Sequence, residues 1–151
     1  ALKWGLVPSW AKDKEFKALI NARLETIDEK VSFKKLIKNH RCVGVADGFY
    51  EWKREENEKT PHYFVRKDSN VIYFAGIFEE DQFCLITEEA KENIKEIHHR
   101  QPVILNQADV NVIVSLIFLF EASVITFSTI INTPKIKNIF EPVEVLLPVR
   151  K

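Results

Sequence analysis

Apolar sequence in this chain comes in short runs of roughly four to nine residues, most of them closed by a turn signal. That spacing constrains the fold more than any other feature. Strands this short need lateral partners, and the helical patterns do not alternate with them as in a doubly wound α/β sheet. Leu2–Trp10 reads as a short strand entering a loop at Pro8-Ser9, and Cys42–Trp52 as one strand. His62–Arg66 and Val71–Phe78 read as a hairpin about Asp68-Ser69-Asn70. Phe83–Thr87, Val103–Leu105 and Val124–Ile131 read as further strands. Helices are expected over Asp28–Asn39, capped by Ser32, and over Glu88–His99, capped by Thr87, with Ala90, Ile94 and Ile97 on one face. Ala108–Ala122 fits either a helix or a buried strand. The expected architecture is α+β: a curved mixed or antiparallel sheet, or a partial β-barrel, with flanking helices.

A chain of 151 residues, 46% of them hydrophobic, suits a single domain over residues 1–151. Lys plus Arg and Asp plus Glu each total 22, so no global field marks a nucleic-acid or membrane binder. The charge is uneven, however. The first half is basic and the second acidic, each by about four charges, so a polyanion should prefer a surface built by the first half. No segment has the pattern of a signal peptide. The longest apolar run, Val112–Phe120, is about nine residues against the ~20 that span a bilayer, so no membrane partner is expected. Cys42 and Cys84 read as buried free thiols in a reducing, cytoplasmic compartment. No metal-ligand spacing is present, and no cofactor is expected. Glycine occurs four times, fewer than a usage of about 7% would give, so a glycine here should sit where only glycine fits. The sequence holds no Met and opens with Ala1, which suggests a processed form or a piece of a longer chain.

Three polar clusters interrupt apolar sequence: Asn21–Thr26, Asp47–Trp52 and Ile97–Pro102. Charged groups are seldom buried unless paired, so each cluster is either a buried polar network or part of a site. Glu51 stands between Tyr50 and Trp52. Desolvated among aromatics, its carboxyl would titrate high and suit acid–base chemistry; pointing outward, it would be an ordinary surface carboxylate. His98 and His99 point about 100° apart if helical, so only one faces a given site. Arg23 and Arg100 suit either phosphates or salt bridges, for example to Glu25 or Glu96. Asn21 could equally be a turn residue. Trp4 and Trp10 lie beside lysines, which suits either a base-stacking platform or a core. Cys42 follows His40-Arg41, but its apolar setting argues against a nucleophile.

Together these clusters resemble the SRAP family, the SOS-response-associated peptidases. The resemblance is carried by Trp4-Gly5-Leu6-Val7-Pro8-Ser9-Trp10-Ala11, Asn21-Ala22-Arg23-Leu24-Glu25-Thr26, Asp47-Gly48-Phe49-Tyr50-Glu51-Trp52 and His98-His99-Arg100-Gln101-Pro102-Val103-Ile104-Leu105, in the family's order. It runs from Leu2 to Leu105 and more loosely through Ile131–Pro134. It implies a monomeric protein that binds single-stranded DNA and captures abasic sites. Capture is covalent, as a thiazolidine formed by the amine and thiol of a leading cysteine. By match to these motifs, Asn21 would stabilise the open sugar, Glu51 would shuttle protons, and His98 would be the acid or base at the sugar. Arg23 and Arg100 would grip phosphates, Trp10 would pack at the lesion, and Thr87 would add a backbone or hydroxyl contact.

The sequence departs from the family where Val45 replaces a usual Pro and Gln101 a usual Met. It also starts at the Trp-Gly block, without the several dozen preceding residues that begin with the nucleophile. The expectation is a scaffold that does not crosslink by itself, because Cys42 and Cys84 are internal and carry no α-amine. Two other readings are a non-covalent single-strand-binding module and a thiol autopeptidase or hydrolase.

Overall fold

The structure, a computed structural model, describes residues 2–12, 15–56, 58–68, 70–122 and 143–146. In chain order the elements are β1 (Lys3–Trp4), a 3-10 turn at Ser9–Ala11, β2 (Asn21–Arg23), a second 3-10 turn at Leu24–Thr26, α1 (Leu36–Asn39) and β3 (Arg41–Ala46). There follow β4 (Phe49–Glu55), β5 (Glu58–Arg66), β6 (Ile72–Glu79), β7 (Gln82–Glu89) and α2 (Glu92–Lys95). The rest are β8 (Arg100–Pro102), β9 (Ile104–Leu105), α3 (Gln107–Ala122) and β10 (Val143–Leu146).

Among the described residues these strands make two sheets, one of seven strands and one of three. In the larger, β6 pairs antiparallel with β3 on one side and with β7 on the other. Two short strands, β1 and β2, lie parallel along the outer side of β7, with Lys3 opposite Gln82 and Asn21 opposite Leu85. Where β6 and β7 part, β8 and β9 enter between them: β8 pairs with β7 and β9 with β6. Val103 spans the gap, donating to the Ile86 carbonyl and accepting from the Ala75 amide, both at 2.9 Å. The smaller sheet is an antiparallel β4-β5-β10 ladder. The expected α+β class holds, in its open mixed-sheet form rather than as a closed barrel.

Apolar packing lies on both faces of the large sheet. One core gathers Leu6, Ala22, Phe33, Leu36, Ala75, Ile77, Cys84, Ile86 and Val110. The other gathers Phe64, Ile72, Phe74, Ala90, Ile94 and Ile104, with Phe49 and Leu85 against it. Alternate residues of β6 feed the two cores, which is why Ile72–Phe78 reads as an unbroken apolar run. The second core is the seam between the sheets. There Phe49 stacks on Phe64 at 5.0 Å and meets Phe74 edge-on at 5.7 Å.

Several local expectations change. Cys42–Trp52 is two strands, because the chain leaves the large sheet at Asp47-Gly48 and enters the small one. His62–Arg66 and Val71–Phe78 do not pair: Lys67 and Asp68 lie in a turn, but β5 and β6 belong to different sheets. Asp28–Asn39 is mostly turns, with only Leu36–Asn39 helical; Phe33 and Leu36 are buried while Val31 is 66% exposed, and Ser32 caps nothing. Of Glu88–His99 only Glu92–Lys95 is helical, because β7 extends to Glu89 to pair with β8; Thr87 is a strand residue and not a cap. Ala108–Ala122 falls in a helix. Val124–Ile131 lies outside the described residues. Among those described, no helix is long and apolar enough to cross a membrane.

Two of the scarce glycines sit where only glycine fits. Gly5 has φ of 113°, a left-handed value that side chains resist. A Cβ on Gly48 would strike the Tyr63 ring and approach the Phe64 carbonyl oxygen to 2.6 Å. Gly48 is therefore what lets the chain cross from β3 to β4 against β5. Gly48→Ala should lower stability by about 1–3 kcal/mol, read as a lowered thermal midpoint; an unchanged midpoint would show that the crossing has slack.

Candidate functional site

Strand alternation decides which side of each sheet carries chemistry. Ala22 is buried in the first core, so Asn21 and Arg23 point to the opposite face, towards the small sheet. Both are exposed. Asn21 lies opposite Leu85 and Arg23 opposite Thr87, so Thr87 shares that face. On the small sheet, Phe49 packs into the seam, and Glu51, two residues on, faces the same way.

Glu51 therefore points inward, with its side chain 22% exposed. Its flanking aromatics do not enclose it. Tyr50 and Trp52 project from the other face of β4 and are about half exposed. The seam itself does the desolvating, and this burial raises the carboxyl above the ordinary carboxylate value, opposed by the nearby His98. Oε2 of Glu51 lies 3.6 Å from Nδ1 of His98.

His98 is the member of the histidine pair that faces the site; His99 is exposed, with the two rings 4.5 Å apart. Neither is helical. His98 lies two residues before β8, and its Nδ1 is 2.9 Å from the Arg100 carbonyl oxygen and 3.3 Å from the Arg100 amide nitrogen.

Arg100 makes the salt bridge to Glu25 that its sequence context allowed. Its terminal nitrogens donate to both Glu25 carboxylate oxygens at 2.8 and 3.0 Å. They also donate to the Thr87 carbonyl at 2.7 Å and the Thr87 hydroxyl at 3.2 Å. Glu25 in addition accepts from the Glu89 amide. The Arg100 bonds hold the Glu25 carboxyl down at about 2. Glu25 thus straps the end of β2 across β7 to β8, a role that its place in the Asn21–Thr26 block hinted at but did not define.

Three other features complete the picture. Gln101 is 3% exposed, yet satisfied: its carbonyl accepts from the Lys91 amide at 2.9 Å and its amide donates to Glu88 at 3.2 Å. The polar side chain is buried there at little cost because these bonds are made. Trp10, half exposed and edge-on to Phe16, sits beside the β6–β7 turn, where Ser9 and Lys12 bond Glu79 and Glu80. That is the far end of β7 from Thr87, so Trp10 is not brought together with the other candidates. Burial pushes the Cys42 thiol up to about 11 and Cys84 to about 12, the opposite of an activated nucleophile. Among the described residues no cluster of three His, Cys, Asp or Glu could hold a metal ion.

A two-sheet α+β domain with a half-buried carboxylate–histidine pair at the sheet seam, flanked by an exposed Asn and Arg, defines the class. The chain belongs to the SRAP (SOS response associated peptidase) family, which matches residues 1–115. It is 43% identical over 115 residues to the abasic site processing protein YoqW of Bacillus subtilis (strain 168), covering 69% of this chain and 51% of that one. It is 36% identical over 111 residues to the abasic site processing protein YedK of Escherichia coli (strain K12), covering 68% and 49%. A crystal structure of a Bacteroides thetaiotaomicron protein aligns with a TM-score of 0.63 and 29% identity, covering 73% of this chain and 55% of that one. The chain spans about half the length of the curated relatives it matches.

The strap has a pH signature. The folded-state value of Glu25, about 2, lies below the ordinary 4.5, so its contribution is complete above about pH 5 and is lost as pH falls towards 2. Urea midpoints should fall less between pH 5 and pH 2 in Glu25→Gln than in the wild type. Equal losses would show that the strap adds nothing to acid stability.

Proposed function

We propose that this domain binds DNA at abasic sites in single strands and supplies the proton-transfer half of a covalent capture of the abasic sugar. The observation that carries the reading is the Glu51–His98 contact at the seam, on the side of the large sheet that also presents Asn21 and Arg23. The names of its relatives support abasic sites as the lesion.

The reacting group is the aldehyde of the open abasic sugar. An amine nitrogen adds to its carbon and loses a proton, while the carbonyl oxygen gains one. Water then leaves to give an imine. A thiolate adds to the imine carbon and the nitrogen takes up a proton, closing a thiazolidine with net loss of one water. Every step moves a proton. A carboxyl raised by burial gives up its proton less readily than a surface one, so Glu51 can protonate the departing hydroxyl and take the proton back. His98 serves the sugar oxygen, and Asn21 holds the open sugar by its amide.

In this reading the amine and thiol are those of a leading cysteine, a role that the internal Cys42 and Cys84, which have no free α-amine, do not fill. In this reading, peptidase activity is removal of the protein's own leading residue. Arg23 meets a flanking phosphate, and Arg100 holds Thr87 and Glu25 in place.

The test uses the intact protein opening Met-Cys and a single-stranded oligonucleotide with one abasic site. A heat-stable adduct should form, and Glu51→Gln should slow its formation by about a hundredfold. Salt-dependent binding with no adduct would leave only the non-covalent module. An unchanged rate in the variant would remove Glu51 from the chemistry.

A further inference from the structure

A continuous line of polar contacts runs from Glu25 to Glu51 through His98. Glu25 holds the Arg100 guanidinium head-on through both carboxylate oxygens. The peptide groups of Arg100 in turn hold Nδ1 of His98. The same Nδ1 then faces Oε2 of Glu51.

The arrangement at Nδ1 selects a tautomer. The nitrogen meets two acceptors, the Arg100 carbonyl at 2.9 Å and the Glu51 carboxylate at 3.6 Å, against one donor, the Arg100 amide at 3.3 Å. The closest partner is an acceptor, and the second acceptor is a carboxylate. Both favour a proton on Nδ1 and leave the lone pair on Nε2.

The Arg100 main chain that sets this arrangement lies opposite Glu89 at the end of the β7–β8 ladder, next to the His99 carbonyl that accepts from the Ala90 amide at 3.0 Å. Strand β8 is three residues long, and Arg100 is its first. The Arg100 side chain is 18% exposed, and its Nε is buried with no hydrogen-bond partner. Among the described residues its anchors are the terminal nitrogens' bonds to Glu25 and Thr87. Removing the Glu25 charge leaves a largely buried guanidinium without its carboxylate, so the side chain must seek another partner and carry its peptide group with it.

We propose that Glu25 is a positioning residue for His98: its clamp on the Arg100 side chain fixes the Arg100 carbonyl at Nδ1, which makes Nε2 the nitrogen that exchanges protons with the sugar. The consequence for catalysis rests on the reading of His98 given under Proposed function. The tautomer and its dependence on Glu25 do not.

Nitrogen-15 NMR of the imidazole rings, on the chain without DNA, reads both. The wild type should show His98 with its proton on Nδ1, and Glu25→Gln should turn that signal into a mixture of tautomers with the rest of the spectrum kept. Glu25→Asp, which keeps the charge but shortens the reach, should lie between the two and serves if Glu25→Gln does not fold. A wild-type His98 with its proton on Nε2 overturns the proposal before any variant is made. An unchanged His98 signal in a folded Glu25 variant overturns the role of Glu25. Because no DNA is present, failure of abasic-site capture leaves this result standing, and the reverse also holds.

Discussion

The packing of Phe49 into the seam is the contact on which the site depends. It stacks on Phe64 within its own small sheet and meets Phe74 of the large sheet edge-on, joining the two layers at one point. Aromatic pairs of this kind add about 0.5–1.5 kcal/mol beyond the area they bury. Two residues further along β4, on the same face, stands Glu51. The apolar contact that holds the layers together therefore also fixes the depth at which the carboxylate sits and the side from which it meets His98. Gly48 makes the contact reachable, because the chain must turn from one sheet into the other against the Tyr63 ring.

Two carboxylates flank the His98–Arg100 segment, and their settings push them in opposite directions. Glu25, its side chain about half exposed, is gripped by a guanidinium and held ionised. Glu51 is more deeply buried, faces an imidazole at longer range, and is raised. Such a division separates a structural charge from one that can exchange protons. The same division reassigns Arg100. With its terminal nitrogens committed to Glu25 and Thr87, it organises the segment, while Arg23 stays exposed on the face shared with Asn21.

The site was more legible in the sequence than the fold around it. Asn21, Arg23, Glu51, His98 and Arg100 stand in ordered motif blocks and Thr87 outside them, and the structure puts all six along one side of the large sheet or on the layer that faces it. What the motifs could not carry was direction. Glu51 could be read as enclosed by Tyr50 and Trp52 or as pointing outward; strand alternation turns those rings away and leaves the seam to desolvate it. The strand read across Cys42–Trp52 hid a change of sheet, because local β-propensity is the same on both sides of Asp47-Gly48 and the break is set by contact with β5. The helix read over Glu88–His99 marked burial correctly at Ala90 and Ile94. Its first residues pair as strand instead, since β8 lies beside them: a tertiary partner overriding a local period. Trp10 shares the motif blocks but lies at the other end of β7, a distance that sequence order does not reveal.

In the proposed function Glu51 and His98 act as one proton-transferring unit at the seam between the sheets. A double-mutant cycle on the rate of adduct formation by the intact protein tests it most directly, using Glu51→Gln, His98→Gln and the pair together. Residues that work as a unit are strongly non-additive. The prediction is a double variant no slower than the slower single variant. Losses that multiply would show two independent groups rather than one unit.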